Sequence, residues 1–321
     1  MHWQTKYPAD LLESPGEFST TVRKLSAGTR LAASDSVSDV ITRFYFGGKW
    51  QLDPWIFTRT ETGDSGWIYL SMILPEAADT AIWEQSILLR AYAGRETALQ
   101  LDSLRRFRDQ FSDLLLQYEK TLTERNILLN KLTEKVQFSE DPAERPDLFW
   151  VADWLPGTKA QLVDQVPGYA FPMDFGWWRL KADQSPTLLD DAFFDLACAV
   201  YPADSVESAL PVWQFDTGNG TVHSMLGRGH HLEVLEKLAL VANDDNSLAA
   251  RLAQVWKAAL LQDLTVNNSF WMDAPQALSE LDQILAAPFT MLTQADRIAL
   301  ETRRAMLSKG DGSLRFGQRH E

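Results

Sequence analysis

Three histidines, His223, His230 and His231, fall within nine residues, and Glu233 and Glu236 follow them. Imidazole nitrogens and carboxylate oxygens are the donors from which zinc and related metal sites are built, and the same groups serve as acid–base pairs. Spacing narrows what they can do together. The two-histidine helical pattern of zincins is absent. His230 and His231 are neighbours at an expected helix start, so they point in different directions and only one can join His223. An ordinary helix entry after the turn "GRG" accounts for the same residues, and no metal site and no cofactor is assigned.

Around Asp216 the string "FDTGNG" resembles the active-site loop of aspartic proteases, which need two aspartates sharing one proton. The chain holds one copy, and the region after it has helical periodicity where an all-β fold would be required. Asp, Gly and Asn are equally the residues of a tight turn. A hydrolase or metal-assisted enzyme would have to use Asp216 with His223 and one of His230 and His231. No residue is assigned a catalytic role on this pattern.

Other charged groups have structural readings. Asp190, Asp191 and Asp195 lie on one expected helix, where acids in the first turn suit the helix dipole. The arginine groups "LRRFRD" at 104–109 and "ETRRAM" at 301–306 read as solvated helix faces. Cys198 is the only cysteine, which excludes an intramolecular disulfide and a cysteine-based zinc site. Within "FFDLACAVY" it reads as a small buried hydrophobe.

With 44 acidic and 30 basic residues the chain carries −14, a field that repels nucleic acid and anionic lipid. Direct nucleic-acid binding is not expected. An acidic inhibitor mimicking nucleic acid is a further alternative, but Asp and Glu are interleaved with basic residues along the whole chain. The first residues lack the basic and apolar regions of a secretory signal, and no apolar run is long enough to span a bilayer, so a cytoplasmic, bacterial-type protein with no membrane partner is expected.

The elements that must position these groups follow from periodicity. "DVITRFYF", "PWIFTRT" and "GWIYLSMIL", separated by turn compositions, predict a three-stranded antiparallel meander after an irregular arm at 1–35. A helix should end at Gly94. From 96 to 138 there is neither Pro nor Gly, enough for a helix of about 60 Å. Along it Leu115, Leu122, Leu129 and Val136 recur every seven residues, the seam of a coiled coil. The charged, proline-bearing stretch 139–147 predicts a linker between residues 1–138 and 148–321.

Beyond it lie an aromatic-rich mixed region, a hairpin over 213–226, four amphipathic helices and a flexible tail. Twelve tryptophans are present, and Trp177 and Trp178, if extended, cannot both face inward. The fold class expected is α+β, mainly α: a small N-terminal sheet, one long helix, a mixed middle and a C-terminal helical module. With no motif of catalytic specificity, the expected function is a non-catalytic subunit or adaptor of a multiprotein assembly. Its contacts, with a protein partner or a second copy, would be made by Leu115, Leu122, Leu129, Val136, Trp177 and Trp178.

Overall fold

The computed structural model describes residues 2–32, 34–46, 49–76, 80–106, 108, 113–136, 146–163, 168–202, 210–218, 220–242 and 247–317. They form two compact units, one of Met1–Gln110 with Lys120–Phe171, the other of Phe111–Glu119 with Pro172–Glu321.

The first unit opens with eight strands: β1 (His2–Thr5), β2 (Ala9–Leu12), β3 (Thr21–Leu25), β4 (Arg30–Ala32), β5 (Val37–Phe46), β6 (Lys49–Thr60), β7 (Ser65–Tyr69) and β8 (Ile73–Pro75). All lie in one antiparallel sheet of order β3-β2-β7-β6-β4-β1-β8, with β5 also pairing β6. The expected meander is present as β5, β6 and β7, but it is the centre of a larger sheet. The chain is α+β with a substantial sheet rather than mainly helical, and the expected irregular arm supplies four strands. Those strands are three to five residues long and pair with distant partners: Trp3 lies opposite both Leu31 and Pro75. No local alternation that short reveals a strand.

Trp3, Leu11, Leu31, Ile56, Ile68 and Ile73 form the buried face of this sheet, and Ile87 of α1 (Thr80–Ala93) closes over it. Gly94, at φ 83°, ends α1 as expected. The proline- and glycine-free stretch that follows is two helices, α2 (Arg95–Arg106) and α3 (Leu114–Lys135). Asp113 precedes α3 at φ 60°, a left-handed conformation that no continuous α-helix contains, and its carbonyl accepts from Gln117 N at 3.0 Å. A single long helix is therefore not formed.

α3 is shared between the units: its residues to Glu119 belong to the second and those from Lys120 to the first. Leu128, Leu132 and Val136 pack with Leu89, Tyr92 and Leu101 in a second core of the first unit. Lys131 Nζ and Lys135 Nζ donate to the carbonyls of Ala93 and Ala91, placing cations at the C-terminal end of α1. Residues 139–145 of the expected linker lie outside the described residues.

In the second unit come α4 (Phe175–Ala182), α5 (Leu188–Val200), α6 (His230–Val241), α7 (Leu248–Val266), α8 (Ala274–Ala286) and α9 (Gln294–Lys309). The last four are the expected C-terminal helices. The hairpin at 213–226 forms as β11 (Gln214–Asp216) and β12 (Val222–Ser224), after the short pair β9 (Gln161–Val163) and β10 (Gly168–Ala170) of the first unit. β13 (Ser269–Phe270) and β14 (Arg315–Phe316) extend it in parallel, so part of the expected tail is a strand. The core is aromatic: Tyr118 touches Trp178, Phe193 and Phe194 edge-on, and Phe193 stacks on Trp256.

Candidate functional site

Of the sequence candidates, His231 has the most developed surroundings. Its Nε2 lies 2.9 Å from Asp263 Oδ2 of α7, and Ser224 Oγ of β12 donates to the same oxygen at 2.5 Å. Asn267 Nδ2 donates to the other carboxylate oxygen at 3.0 Å. Burial pushes the Asp263 carboxyl up, but the hydrogen bonds from His231, Ser224 and Asn267 outweigh it and hold the group below the usual carboxylate range. An ionised Asp263 can only accept, so Nε2 of His231 carries a hydrogen.

Beside this group Glu280 of α8 reaches the entry of α6. Its Oε2 accepts from Gly227 N at 2.5 Å and Gly229 N at 2.9 Å, and its Oε1 accepts from Leu232 N at 3.1 Å. Those are the amides that a helix start leaves without partners, and a carboxylate there also meets the positive end of the dipole. Across the same layer Arg303 of α9 donates to Asn268 Oδ1 at 2.9 Å and to the Thr265 carbonyl near the end of α7.

This network resembles a Ser-His-Asp triad only in composition. In a triad the serine gives its proton to histidine, whereas Ser224 donates to Asp263. Ser224, His231 and Asp263 are also sealed from solvent, at 0%, 0% and 2% exposure, which leaves no approach for a substrate. The arrangement joins β12, α6, α7 and α8.

Nor does the structure bring the histidines together. His223 follows the alternation of β12 to the face opposite Ser224, where its Nδ1 lies 2.9 Å from Ser269 Oγ and its ring meets Trp271. His230, its pKa lowered by burial, is half-buried one position before His231. Asp216 Oδ1 accepts from Gly218 N at 2.8 Å, the hydrogen bond of an Asx turn. Among the described residues no group of three or more His, Cys, Asp or Glu has the geometry to hold a metal. Asp191 and Asp195 both pair with Arg179 of α4, and Asp190 takes a hydrogen bond from Ser185 at 2.6 Å.

A solvent-open site lies instead in the first unit. Phe44 of β5, Trp55 of β6 and Tyr69 of β7, with Leu12 and Met72, line a cleft of about 430 Å³ whose rim carries Asp10, Glu17 and Lys24. The aromatic wall is held by hydrogen bonds: Trp55 Nε1 donates to Thr42 Oγ1 at 2.8 Å, and Tyr69 Oη donates to the Thr42 carbonyl at 2.8 Å while accepting from Asp53 N at 3.1 Å. Burial, followed by the Asp53 charge, raises the Tyr69 phenol well above its ordinary value.

The β5–β6 hairpin continues past this cleft. β6 pairs β7 only from Trp55 to Arg59, so among the described strands its residues 49–54 pair β5 alone, while Tyr69 and Tyr92 reach Asp53 and Leu52 from the side of the sheet and α1. On this outer part Phe44, Tyr45 and Trp50 are 38%, 58% and 40% exposed. Tyr45 meets Trp50 edge-on at 5.2 Å and Arg43 lies 4.5 Å over the Trp50 ring, a preformed aromatic and cationic patch.

No protein-family model, curated protein or solved structure matches this chain.

The residues expected to bind a partner are placed differently from the hairpin. Leu115 and Val136 are buried in the second and first units, while Leu122 and Leu129 are half-buried along the edge of the same α3 stripe. Trp177 and Trp178 lie on helix α4 rather than on an extended segment; Trp178 is buried and Trp177 half-buried, their rings 5.0 Å apart. Sequence reasoning singled out the strands that carry Phe44, Tyr45 and Trp50 but not their exposure. The available signal was that neither face of "DVITRFYF" is polar.

Proposed function

We propose that the protein is a non-catalytic subunit or adaptor of a multiprotein assembly, working in the cytoplasm, and that it holds its partner with the outer half of the β5–β6 hairpin. The observation that carries this reading is the exposed trio Phe44, Tyr45 and Trp50 on the part of the β5–β6 hairpin that lies past the β6–β7 pairing. Large aromatics beside an arginine are the residues that dominate binding energy at protein interfaces. Among the described strands β5 pairs β6 alone, and its other edge adds main-chain groups that an extended segment of a partner can pair. The neighbouring cleft offers such a segment a pocket for one apolar side chain.

Native mass spectrometry on protein purified gently from its own cells tests the proposal. The expected result is a stoichiometric hetero-complex or defined oligomer that the double substitution Tyr45→Asp, Trp50→Asp dissolves while the circular dichroism spectrum is unchanged. A bare monomer, or a complex untouched by the double substitution, rejects it.

A further inference from the structure

Four arginines and two aspartates line a cleft of about 400 Å³ between α1 and α2 of the first unit. This stands against the sign of a chain that carries −14 overall. Arg90 comes from α1, and Arg95, Arg105 and Arg106 recur along one face of α2. The two aspartates do not use up this charge. Asp102 is taken by Arg105 at 2.9 Å and Arg106 at 2.6 Å, while Asp35, 84% exposed, is 3.7 Å from Arg90.

Two features lack an explanation in the folded chain alone. Arg95 has no ion-pair partner among the described residues, although it occupies the first turn of α2, where a cation opposes the helix dipole. Arg105 stacks 4.9 Å from the Trp154 ring with its Nε sealed from solvent and without a hydrogen-bond partner. The first departure is relieved by negative charge entering the cleft; the buried Arg105 Nε is out of an entering anion's reach. Converging guanidinium groups are the arrangement that takes carboxylate or phosphate oxygens in paired hydrogen bonds. Trp83 and the 60% exposed Leu99 supply an apolar wall beside them.

We propose that this cleft binds a small organic anion bearing at least two carboxylate or phosphate groups, held chiefly by Arg95 with Arg90 and Arg106, its carbon skeleton against Trp83 and Leu99. The volume suits a small molecule rather than a macromolecular surface. This site is separate from the hairpin and does not depend on the function proposed above.

Isothermal titration of the full chain at low salt with pyrophosphate and with citrate, one probe for each oxygen chemistry, tests it. Saturable binding of either probe, weakened about tenfold or more by Arg95→Ala, is expected, one lost charge-assisted contact corresponding to that factor. Leu99→Glu, which adds a carboxylate to the same wall, must weaken binding as well. Both side chains are exposed, so neither variant should disturb folding, and the thermal unfolding curve checks this. The stronger probe identifies the ligand's chemistry. Absence of binding by both probes at about 10 mM, or binding that either variant leaves within a factor of two, overturns the proposal; so does binding unaffected by raised salt, which a charge-led site cannot show.

Discussion

Asp263 Oδ2 accepts hydrogen bonds from Ser224 Oγ and His231 Nε2 together, at 2.5 and 2.9 Å, in a place no solvent reaches. One carboxylate thus ties a strand and two helices, and the geometry that looks like catalytic equipment is a structural clasp. Its worth lies in the cost of breaking it, since a buried charge or donor left without its partner keeps its full desolvation penalty.

Acid should loosen the clasp. The folded Asp263 carboxyl sits below its ordinary value of 3.8, so the unfolded chain binds the proton first as pH falls. Its contribution to stability is complete above that ordinary value and is lost as pH drops through the folded value. Urea unfolding followed from neutral to acid pH should show this loss. Asp263→Asn should remove its share of the pH dependence and cost about 3 kcal/mol at neutral pH. A variant as stable as the parent would contradict the account.

Glu280 should matter through α6. Glu280→Ala strips the acceptor from three amides, those of Gly227, Gly229 and Leu232. A loss of about 3 kcal/mol is expected, with a smaller one for Glu280→Gln, which keeps one acceptor oxygen. Hydrogen exchange should place the change at the amides of Gly229 and Leu232, and unaltered protection there would count against the capping role.

Alkali should weaken the first unit. Burial first, then the Asp53 charge, raise the phenols of Tyr69 and Tyr92 above their ordinary 10.0, so the unfolded chain loses these protons while the folded chain keeps them. Their contribution is therefore whole below pH 10 and declines above it. Phenolate absorbance for these two tyrosines should rise together with unfolding rather than ahead of it. Tyr69→Phe should cost about 1–2 kcal/mol at neutral pH, because the Thr42 carbonyl and the Asp53 amide lose their shared partner, and should flatten the alkaline decline.

Gly227 has no room for a side chain. A Cβ would stand 2.9 Å from the backbone of both Gln276 and Ala277, at φ 108°. Gly227→Ala should cost about 3 kcal/mol, combining a clash against backbone with a left-handed residue. Gly312→Ala, with nothing within 4 Å, should be nearly neutral, and denaturant midpoints for the pair decide the matter.

What could be read from the sequence is local in origin. The strands β5, β6 and β7 are long runs of β-branched and aromatic residues bounded by turns, and α1, α5 and the four helices from His230 onward carry their own periodicity and breaks. The break at Asp113 was not legible, because aspartate has no sequence mark for a positive φ as glycine does. β1 to β4 were hidden for another reason: three to five residues gain strand geometry only from partners elsewhere in the chain, as Trp3 does from Leu31 and Pro75.

The sites divide along the same line. Residue type alone made His223, His230, His231 and Asp216 worth weighing, and it set the net charge of −14. Only tertiary structure decided that His231 would meet Asp263, 32 residues away, and that Arg90 and Arg95 would share a cleft with Arg105 and Arg106. Periodicity records which way a side chain points from its own element; burial, pairing and charge convergence depend on which elements pack together, and that is set by the summed burial of residues far apart in sequence.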